Sequence, residues 1–123
     1  MVCVCYYWCM STYHNHRSEP YFTFLKNGQK TIEGRLRKDK YAQIQAGDYI
    51  EVFDTNESES VKVIVKRVAI YPSIKAMLET EDYKQLLPNA ESITNGIEIY
   101  RKFYTPEQEL EFGMTAIEVE IIK

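Results

Sequence analysis

The stretch GQKTIEGRLRKDKY, residues 28–41, contains a glycine suited to ending a helix, then a strand-like alternation and a run of basic side chains. From residue 29 to 36, apolar and polar positions alternate with a period of two, which predicts a strand with two different faces. One face carries Ile32, Gly34 and Leu36, and the other carries Thr31, Glu33 and Arg35. The polar face is either exposed to water or lines a pocket. Only in the second case would these side chains form a functional site.

Strand-like and helix-like segments are segregated along the rest of the chain. Predicted strands lie at residues 12–17, 29–36, 49–53, 61–71 and 115–122, and predicted helices lie at 19–27, 74–87, 90–103 and 106–112. Helix caps are predicted at Ser73, Asn89 and Thr105. This order predicts an α+β fold with a small curved sheet or barrel. The closing strand is expected to pair with an early strand and so cover an open edge.

Length and composition predict one folded domain. The chain has 123 residues, of which 45% are hydrophobic and 27% are charged, and this favours a compact fold over disorder. The sequence has no glycine-rich phosphate loop, nucleophile elbow, HExxH helix or pair of zinc knuckles. These absences argue against the common nucleoside triphosphatases, serine hydrolases and zinc proteases. We expect neither a cofactor nor a metal ion.

The first ten residues, MVCVCYYWCM, contain all three cysteines and the single tryptophan. A soft-metal cluster would consist of Cys3, Cys5, Cys9, His14 and His16. Their spacing matches no usual zinc pattern, and three cysteines cannot all pair within one chain, which favours a reducing compartment, cytoplasmic or nuclear. We favour a start at Met10, with residues 1–10 as a leader and 11–123 as a single domain. The leader is too short for a membrane span, and we expect no membrane association.

A local excess of basic charge lies within a net acidic protein. The formal net charge is −3, yet residues 26–40 contain six basic side chains against Glu33 and Asp39. Such an excess forms either a confined anion-binding surface or an ordinary solvated face.

The strongest candidate binding residues are Lys30, Thr31, Glu33 and Arg35. Arg35 could hold a phosphate or a base edge through two hydrogen bonds, and Glu33 could accept from an exocyclic amine. Glu33 could instead act as a general base if burial raised its pKa. Lys30 and Glu33 point to opposite faces of an ideal strand, so they converge only through a bulge or a helix–strand turn at Lys30. The alternative is an exposed Glu33–Arg35 ion pair, which contributes under about 1 kcal/mol.

A second group, from Tyr100 to Tyr104, interleaves aromatic and basic residues. That pattern suits stacking on bases with nearby phosphate contacts. The two tyrosines also fall on one apolar helical stripe with two isoleucines, which favours core packing. His14 and His16 share one face of the first predicted strand, with no acidic partner evident in the sequence.

The segment PYFTFLKNGQKTIEGRL, followed by AGDYIEVF, resembles the signature half of the ASCH domain family, the activating-signal-cointegrator homology domains. The matching elements are Lys26-Asn27-Gly28 at the end of a helix, the strand Lys30-Thr31-Ile32-Glu33-Gly34-Arg35 and the turn Gly47-Asp48. The stretch IEIYRKFYTPEQELEFGMTAIEVEI is also similar to the close of many small ASCH proteins. The resemblance covers residues 12–123.

This resemblance implies a PUA-like fold, a small β-barrel of about five to six strands with a helix beside a cleft and a helical insertion before the last strand. The motif strand would floor the cleft, with Lys30 at its mouth. The implied ligand is RNA, a nucleotide or a modified nucleoside. Lys30 and Arg35 would contact phosphate or base, Glu33 would read a polar base edge, and Tyr104 would stack on the base.

One branch of the family removes the acetyl group from N4-acetylcytidine with a lysine, a threonine and a glutamate, and other members resemble ribonucleases. Lys30 matches that lysine, but Glu33 stands where the threonine would be, and Gly34 replaces a bulkier apolar residue. The glutamate would come from Glu79, Glu81 or Glu98. Three functions stay open: a monomeric RNA- or nucleotide-binding module, a small hydrolase with Lys30 and Glu33 as catalytic residues, and a protein-interaction module.

Overall fold

The computed structural model describes residues 12–123, so the predicted leader and its three cysteines lie outside the described residues. The strands are β1 (Thr12–His16), β2 (Ile32–Leu36), β3 (Tyr49–Phe53), β4 (Ser60–Tyr71) and β5 (Met114–Ile121). The helices are α1 (Tyr21–Lys26), α2 (Ile74–Thr80), α3 (Tyr83–Leu86), α4 (Ile93–Arg101) and α5 (Pro106–Phe112), with a 3₁₀ helix at Asp39–Ala42. In this part of the chain no helix is long and apolar enough to cross a membrane.

The five strands form one sheet in the order β1-β3-β4-β5-β2. β1 runs parallel to β3, and the other three neighbouring pairs are antiparallel. This arrangement confirms the α+β class and the pairing of the closing strand β5 with an early strand, β2. A bulge between Val65 and Arg67 bends the long strand β4. The sheet is therefore a half-barrel whose open side lies between the edge strands β1 and β2.

β2 begins later than the alternation predicts, at Ile32 rather than at residue 29. The Lys30 N–H donates to the Phe24 carbonyl of α1 at 3.0 Å, and the Thr31 N–H donates to the Gln85 carbonyl of α3 at 3.2 Å. The N–H groups of both residues thus bond to helices, while the Thr31 carbonyl already accepts from the Val119 N–H of β5 at 2.9 Å. Lys30 therefore lies at the turn between α1 and β2, which is one of the two arrangements that let it reach Glu33.

Two of the three predicted helix caps are confirmed. Ser73 accepts from a backbone N–H in the first turn of α2, and Thr105 forms a reciprocal capping box at the start of α5. The prediction that Asn89 caps the next helix is wrong, because residues 87–90 close a turn through a backbone hydrogen bond. The hydroxyl of Ser92 caps α4 instead.

Two hydrophobic clusters flank the sheet and fix the orientation of β2. One cluster, between the sheet and helices α2 to α4, is called the helical cluster and includes Ile32, Leu36, Met77, Leu86 and Tyr100. The other cluster, which contains α1, includes Phe22, Leu25, Val52, Val65 and Ile117. Gly34 lies on the helical side, where an added Cβ would be 2.4 Å from Tyr100 Oη and 2.8 Å from Met77 Cε. Only glycine at this position lets the helical layer pack so closely on β2.

We expect Gly113→Ala to destabilise the fold at the junction of α5 and β5. Gly113 has φ 68° and ψ −173°, a region open almost only to glycine, and an added Cβ would lie 2.9 Å from the Tyr71 carbonyl oxygen. The variant should lower the free energy of unfolding by about 1–3 kcal/mol, measured from urea midpoints.

Glu111→Ala, an exposed change two residues before Gly113, is the control and should stay within about 0.5 kcal/mol of wild type. Equal midpoints for both variants would contradict the backbone conformation at Gly113.

Candidate functional site

A buried cluster of charges lies between the edge strands, centred on the carboxylate of Glu33. Oε2 of Glu33 accepts from Arg17 Nη2 at 2.7 Å and from Arg35 Nε at 3.0 Å. Oε1 of the same carboxylate lies 3.4 Å from Lys30 Nζ. Three cationic side chains thus surround one anionic group, and the cluster has a net charge of +2 when all four are ionised.

The pKa values of this cluster follow from burial and from the neighbouring charges. Burial opposes ionisation of Glu33, but Arg17, Arg35 and Lys30 outweigh it and hold the pKa of Glu33 well below its usual range. Burial lowers the pKa of Lys30 to about 8, with the Glu33 carboxylate opposing that shift. Both groups are therefore charged at neutral pH. The raised pKa that a general base at Glu33 would need is absent, since the shift runs the other way.

Lys30 is held inside the protein rather than at the mouth of a cleft. Its side chain is only 3% exposed. Besides Glu33, its Nζ donates to the Ile32 carbonyl at 2.9 Å and to the Leu86 carbonyl. An ammonium group has three donors, and each of them has an acceptor here. Lys30 thus ties the start of β2 to the last residue of α3.

Side chains, and not a backbone ladder, join the two edge strands. Arg17 directly follows β1 and reaches across to Glu33 on β2. Arg35 on β2 sends Nη2 back to the His16 carbonyl at 3.1 Å. Lys40 donates to the His14 carbonyl from the 3₁₀ helix. Because these bridges are side chains, the half-barrel keeps an opening between its edges.

A cleft of about 330 Å³ occupies this opening, which is within the size range of small-molecule binding sites. Its charged or glycine lining residues are Arg17, Lys30, Glu33, Gly34 and Arg35. Its aromatic and apolar lining residues are Tyr21, Leu87, Tyr100, Phe103 and Tyr104, and His16, Ser18 and Thr55 complete the lining. We call this space the first cleft.

The aromatic part of the first cleft is built by α4 and the turn that follows it. Tyr100, Phe103 and Tyr104 are spaced i, i+3 and i+4, which places them on one side of that turn. The rings of Tyr100 and Tyr104 stack with centroids 6.4 Å apart, and Tyr21 meets Phe103 edge-on at 6.4 Å. Phe103 is 53% exposed, so its ring can take a planar partner.

Tyr100 brings an unpaired hydroxyl to the first cleft. Its side chain is 4% exposed, and its Oη has no hydrogen-bond partner among residues 12–123. The hydroxyl points at Gly34, where no side chain intervenes. Burial raises the pKa of Tyr100 well above its usual value, so the group stays a neutral donor. A buried hydroxyl left unpaired costs about 1–3 kcal/mol.

Several predicted residues do not reach the first cleft. The Thr31 hydroxyl donates to the side chain of Gln85 at 2.7 Å, which ties the start of β2 to α3. The lining also lacks Glu79, Glu81 and Glu98, the three candidates for a catalytic glutamate. In the described part of the chain, no group of three histidine, cysteine or acidic residues is arranged to hold a metal ion.

Sequence reasoning missed Arg17 and the partners of the two histidines. Arg17 matters only because β1 and β2 approach each other, and no local pattern in the sequence signals that approach. His16 lies 2.6 Å from a carboxylate oxygen of Glu57 in the β3–β4 loop, and His14 lies 3.9 Å from Glu51. Period two along β1 places Arg17 on the same face as Asn15, but only the structure shows that this face is buried.

Fold and cleft together define a small α+β half-barrel with a charged and aromatic cleft between its edge strands. The chain belongs to the ASCH domain family, whose family model matches residues 16–123. This confirms the resemblance drawn from the motif strand and the PUA-like fold that it implied. The family is generally associated with RNA binding.

Solved structures agree with this assignment. The hypothetical protein PH0355 is 40% identical, with a TM-score of 0.81 over 90% of this chain and 99% of that chain. Protein PF0455 from Pyrococcus furiosus is 35% identical, with a TM-score of 0.72 over 91% of this chain and 98% of that one. The ASCH domain from Lactobacillus crispatus, at 14% identity and a TM-score of 0.57 over 98% and 85%, shares the fold alone. No curated protein matches the chain significantly.

We expect Glu33→Gln to destabilise the protein strongly and to flatten its acid dependence. The change leaves three buried cations without their carboxylate, which should lower the free energy of unfolding at pH 7 by about 3–5 kcal/mol. The pKa of Glu33 is lower in the folded chain than in the unfolded chain. Its stabilising contribution is therefore complete above the unfolded value of about 4.3 and is lost as the pH falls further.

Urea midpoints measured from about pH 7 down to about pH 2 test this expectation. Wild type should lose stability below about pH 4, and the variant should lose clearly less. Glu59→Gln, which removes an exposed partner of Lys26, is the matched control and should keep the wild-type acid dependence. If Glu33→Gln lost as much stability between about pH 7 and about pH 2 as wild type does, the central role of Glu33 would be contradicted.

Proposed function

We propose that the first cleft binds a base and its phosphate from single-stranded RNA. The observation that carries this proposal is that one cleft joins a surplus of buried positive charge to an exposed aromatic ring. Single-stranded RNA is recognised by this combination, in which aromatic rings stack on bases and basic groups contact phosphates.

The charge surplus favours an anionic ligand. Glu33 neutralises one of the three cations around it, and the remaining two positive charges are partly or wholly out of water. Burying charge without a counter-ion is costly, so a phosphate or an electron-rich base edge in the cleft would offset that cost. Arg35 is the most exposed of the three cations and is the natural contact for the ligand.

Glu33 has a different role from reading a base edge. Its two oxygens are already occupied by Arg17, Arg35 and Lys30. The carboxylate therefore orients the arginine groups toward the cleft and leaves ligand contact to them. Positioning of this kind reduces the side-chain entropy that Arg35 would lose when it binds a phosphate.

Tyr100 and the backbone at Gly34 would read the base. The Ile32 carbonyl turns toward the open edge of β2, where it accepts from Lys30. Because backbone groups alternate along a strand paired on one side, those of Gly34 turn the same way. The unpaired Tyr100 hydroxyl adds a side-chain donor beside them. A planar base stacked near Phe103 would meet these groups with its polar edge.

The same geometry favours binding over hydrolysis of an acylated nucleoside. The ammonium of Lys30 has all its donors engaged and is charged at neutral pH, so it is neither a free nucleophile nor a base. Glu33 is too acidic to accept a proton readily. The cleft also lacks a threonine at the family position and a glutamate from the helical insertion.

Phe103→Ala should weaken RNA binding. Removing an aromatic platform costs about 1–3 kcal/mol per stacked base, so Kd should rise roughly 5-fold to 150-fold. The measurement is fluorescence anisotropy of a labelled random-sequence single-stranded RNA about twelve nucleotides long. Leu110→Ala, which truncates an 88% exposed apolar side chain outside the cleft, is the control and should bind as wild type does. Equal Kd values for both variants would argue against a stacking site.

Tyr100→Phe should separate recognition from stability. The change removes a buried hydroxyl that has no partner within residues 12–123, so the urea midpoint should stay unchanged or rise. Binding of the same RNA should weaken by roughly 5-fold to 10-fold if that hydroxyl donates to the ligand. Loss of stability together with unchanged binding would show that the hydroxyl serves the fold and not the ligand.

A further inference from the structure

A second cleft adjoins the first and has nearly the same size, about 320 Å³. Its lining residues are Arg35, Leu36, Lys38, Asp39, Lys40, Tyr41 and Tyr104. Two of these residues, Arg35 and Tyr104, also line the first cleft. The two clefts therefore meet at one arginine and one tyrosine.

The second cleft repeats the chemistry of the first. Its basic lining residues are Lys38, Lys40 and the shared Arg35, and its single carboxylate is that of Asp39. The guanidinium carbon of Arg35 lies 4.8 Å from the centroid of the Tyr41 ring, and Lys40 Nζ lies 5.5 Å from it. Within the described residues, Lys38 and Lys40 form no ion pair with a carboxylate. Lys40 Nζ donates to the His14 carbonyl and Lys38 Nζ lies 5.1 Å from the centroid of the Phe112 ring, so uncharged groups hold both ammonium groups.

The spacing of these groups matches a chain of nucleotides better than a single one. A polynucleotide alternates a flat base with a phosphate, and the two clefts alternate aromatic and basic groups in the same way. Arg35 lies at the junction, where the phosphate between two nucleotides would pass. A free nucleoside would fill the first cleft and leave the second one unused.

We infer that the second cleft receives the nucleotide next to the one in the first cleft, so that the ligand is a single-stranded polynucleotide and not a free nucleoside. This inference rests on the proposed function of the first cleft. Lys38 contacts the phosphate of the second nucleotide, and Tyr41 with Tyr104 contacts its base or sugar. The path of the strand runs over Arg35 and Tyr104.

The experiment compares two probes on the full chain: the twelve-nucleotide random RNA pool, and an equimolar mixture of 5′-ribonucleoside monophosphates as competitors. Lys38→Ala removes an exposed side chain of the second cleft alone, so the fold should be retained. Lys75→Ala makes the same change of charge on α2, outside both clefts, and is the matched control. Lys38→Glu adds a charge reversal, and Phe103→Ala tests the first cleft alone.

The expected result is that the pool binds more tightly than the monophosphates. Lys38→Ala should weaken binding of the pool by roughly 3-fold to 10-fold and reduce the salt slope by about 0.7, one phosphate contact on a single strand. Lys38→Glu should weaken it further, and neither change should alter the affinity for monophosphates. Phe103→Ala should weaken both probes.

Three results would overturn the inference, and they separate it from the proposed function. Monophosphates that bind as tightly as the pool would leave the first cleft as a nucleotide site without a second one. If Lys38→Ala and Lys38→Glu bound the RNA pool as tightly as wild type does, the second cleft would likewise not be a nucleotide site. No binding of either probe by the intact protein would remove the proposed function and the inference with it.

Discussion

The carboxylate of Glu33 is the interaction on which the open side of the half-barrel depends. β1 and β2 are both edge strands, and no backbone ladder joins them. Arg17 beyond β1 binds Glu33 on β2, and Arg35 on β2 donates to the His16 carbonyl on β1, so side chains hold the two edges at a distance that leaves a cleft between them. A sheet closed by backbone hydrogen bonds would have sealed this opening. The cleft is therefore a consequence of how the fold is closed.

The same interaction restricts the chemistry that the cleft can perform. A carboxylate that holds three cations is strongly acidic, and the lysine in that cluster is engaged at each of its donors. Groups so fixed are suited to presenting positive charge and are poor at moving protons. Glu33 makes the motif strand the anchor of the Arg17 and Arg35 pair.

Most of the fold could be predicted from the sequence because its signals are local. The alternation of apolar and polar residues predicted the strands, and capping residues predicted the starts of two helices. The closing strand β5 pairs with β2 as expected. The errors arose where distant contacts override local preference. β2 starts late because the N–H groups of Lys30 and Thr31 donate to helix carbonyls, and Arg17 joins the site only when the edge strands meet. The candidate residues Lys30, Glu33 and Arg35 were identified by spacing, but their burial and mutual contacts depend on the whole sheet.

Gly34 and Tyr100 show how packing and recognition are coupled in this cleft. The missing Cβ at Gly34 lets the tyrosine ring settle against β2, and the same close approach leaves its hydroxyl without a partner among residues 12–123. Selection for stability alone would favour a phenylalanine at position 100, because an unpaired buried hydroxyl lowers the free energy of unfolding. A cost of this kind is expected at sites where a ligand supplies the missing hydrogen bond. The apolar helix stripe that holds Tyr100 in the core, as its spacing predicted, therefore also carries the hydroxyl that we propose faces the ligand.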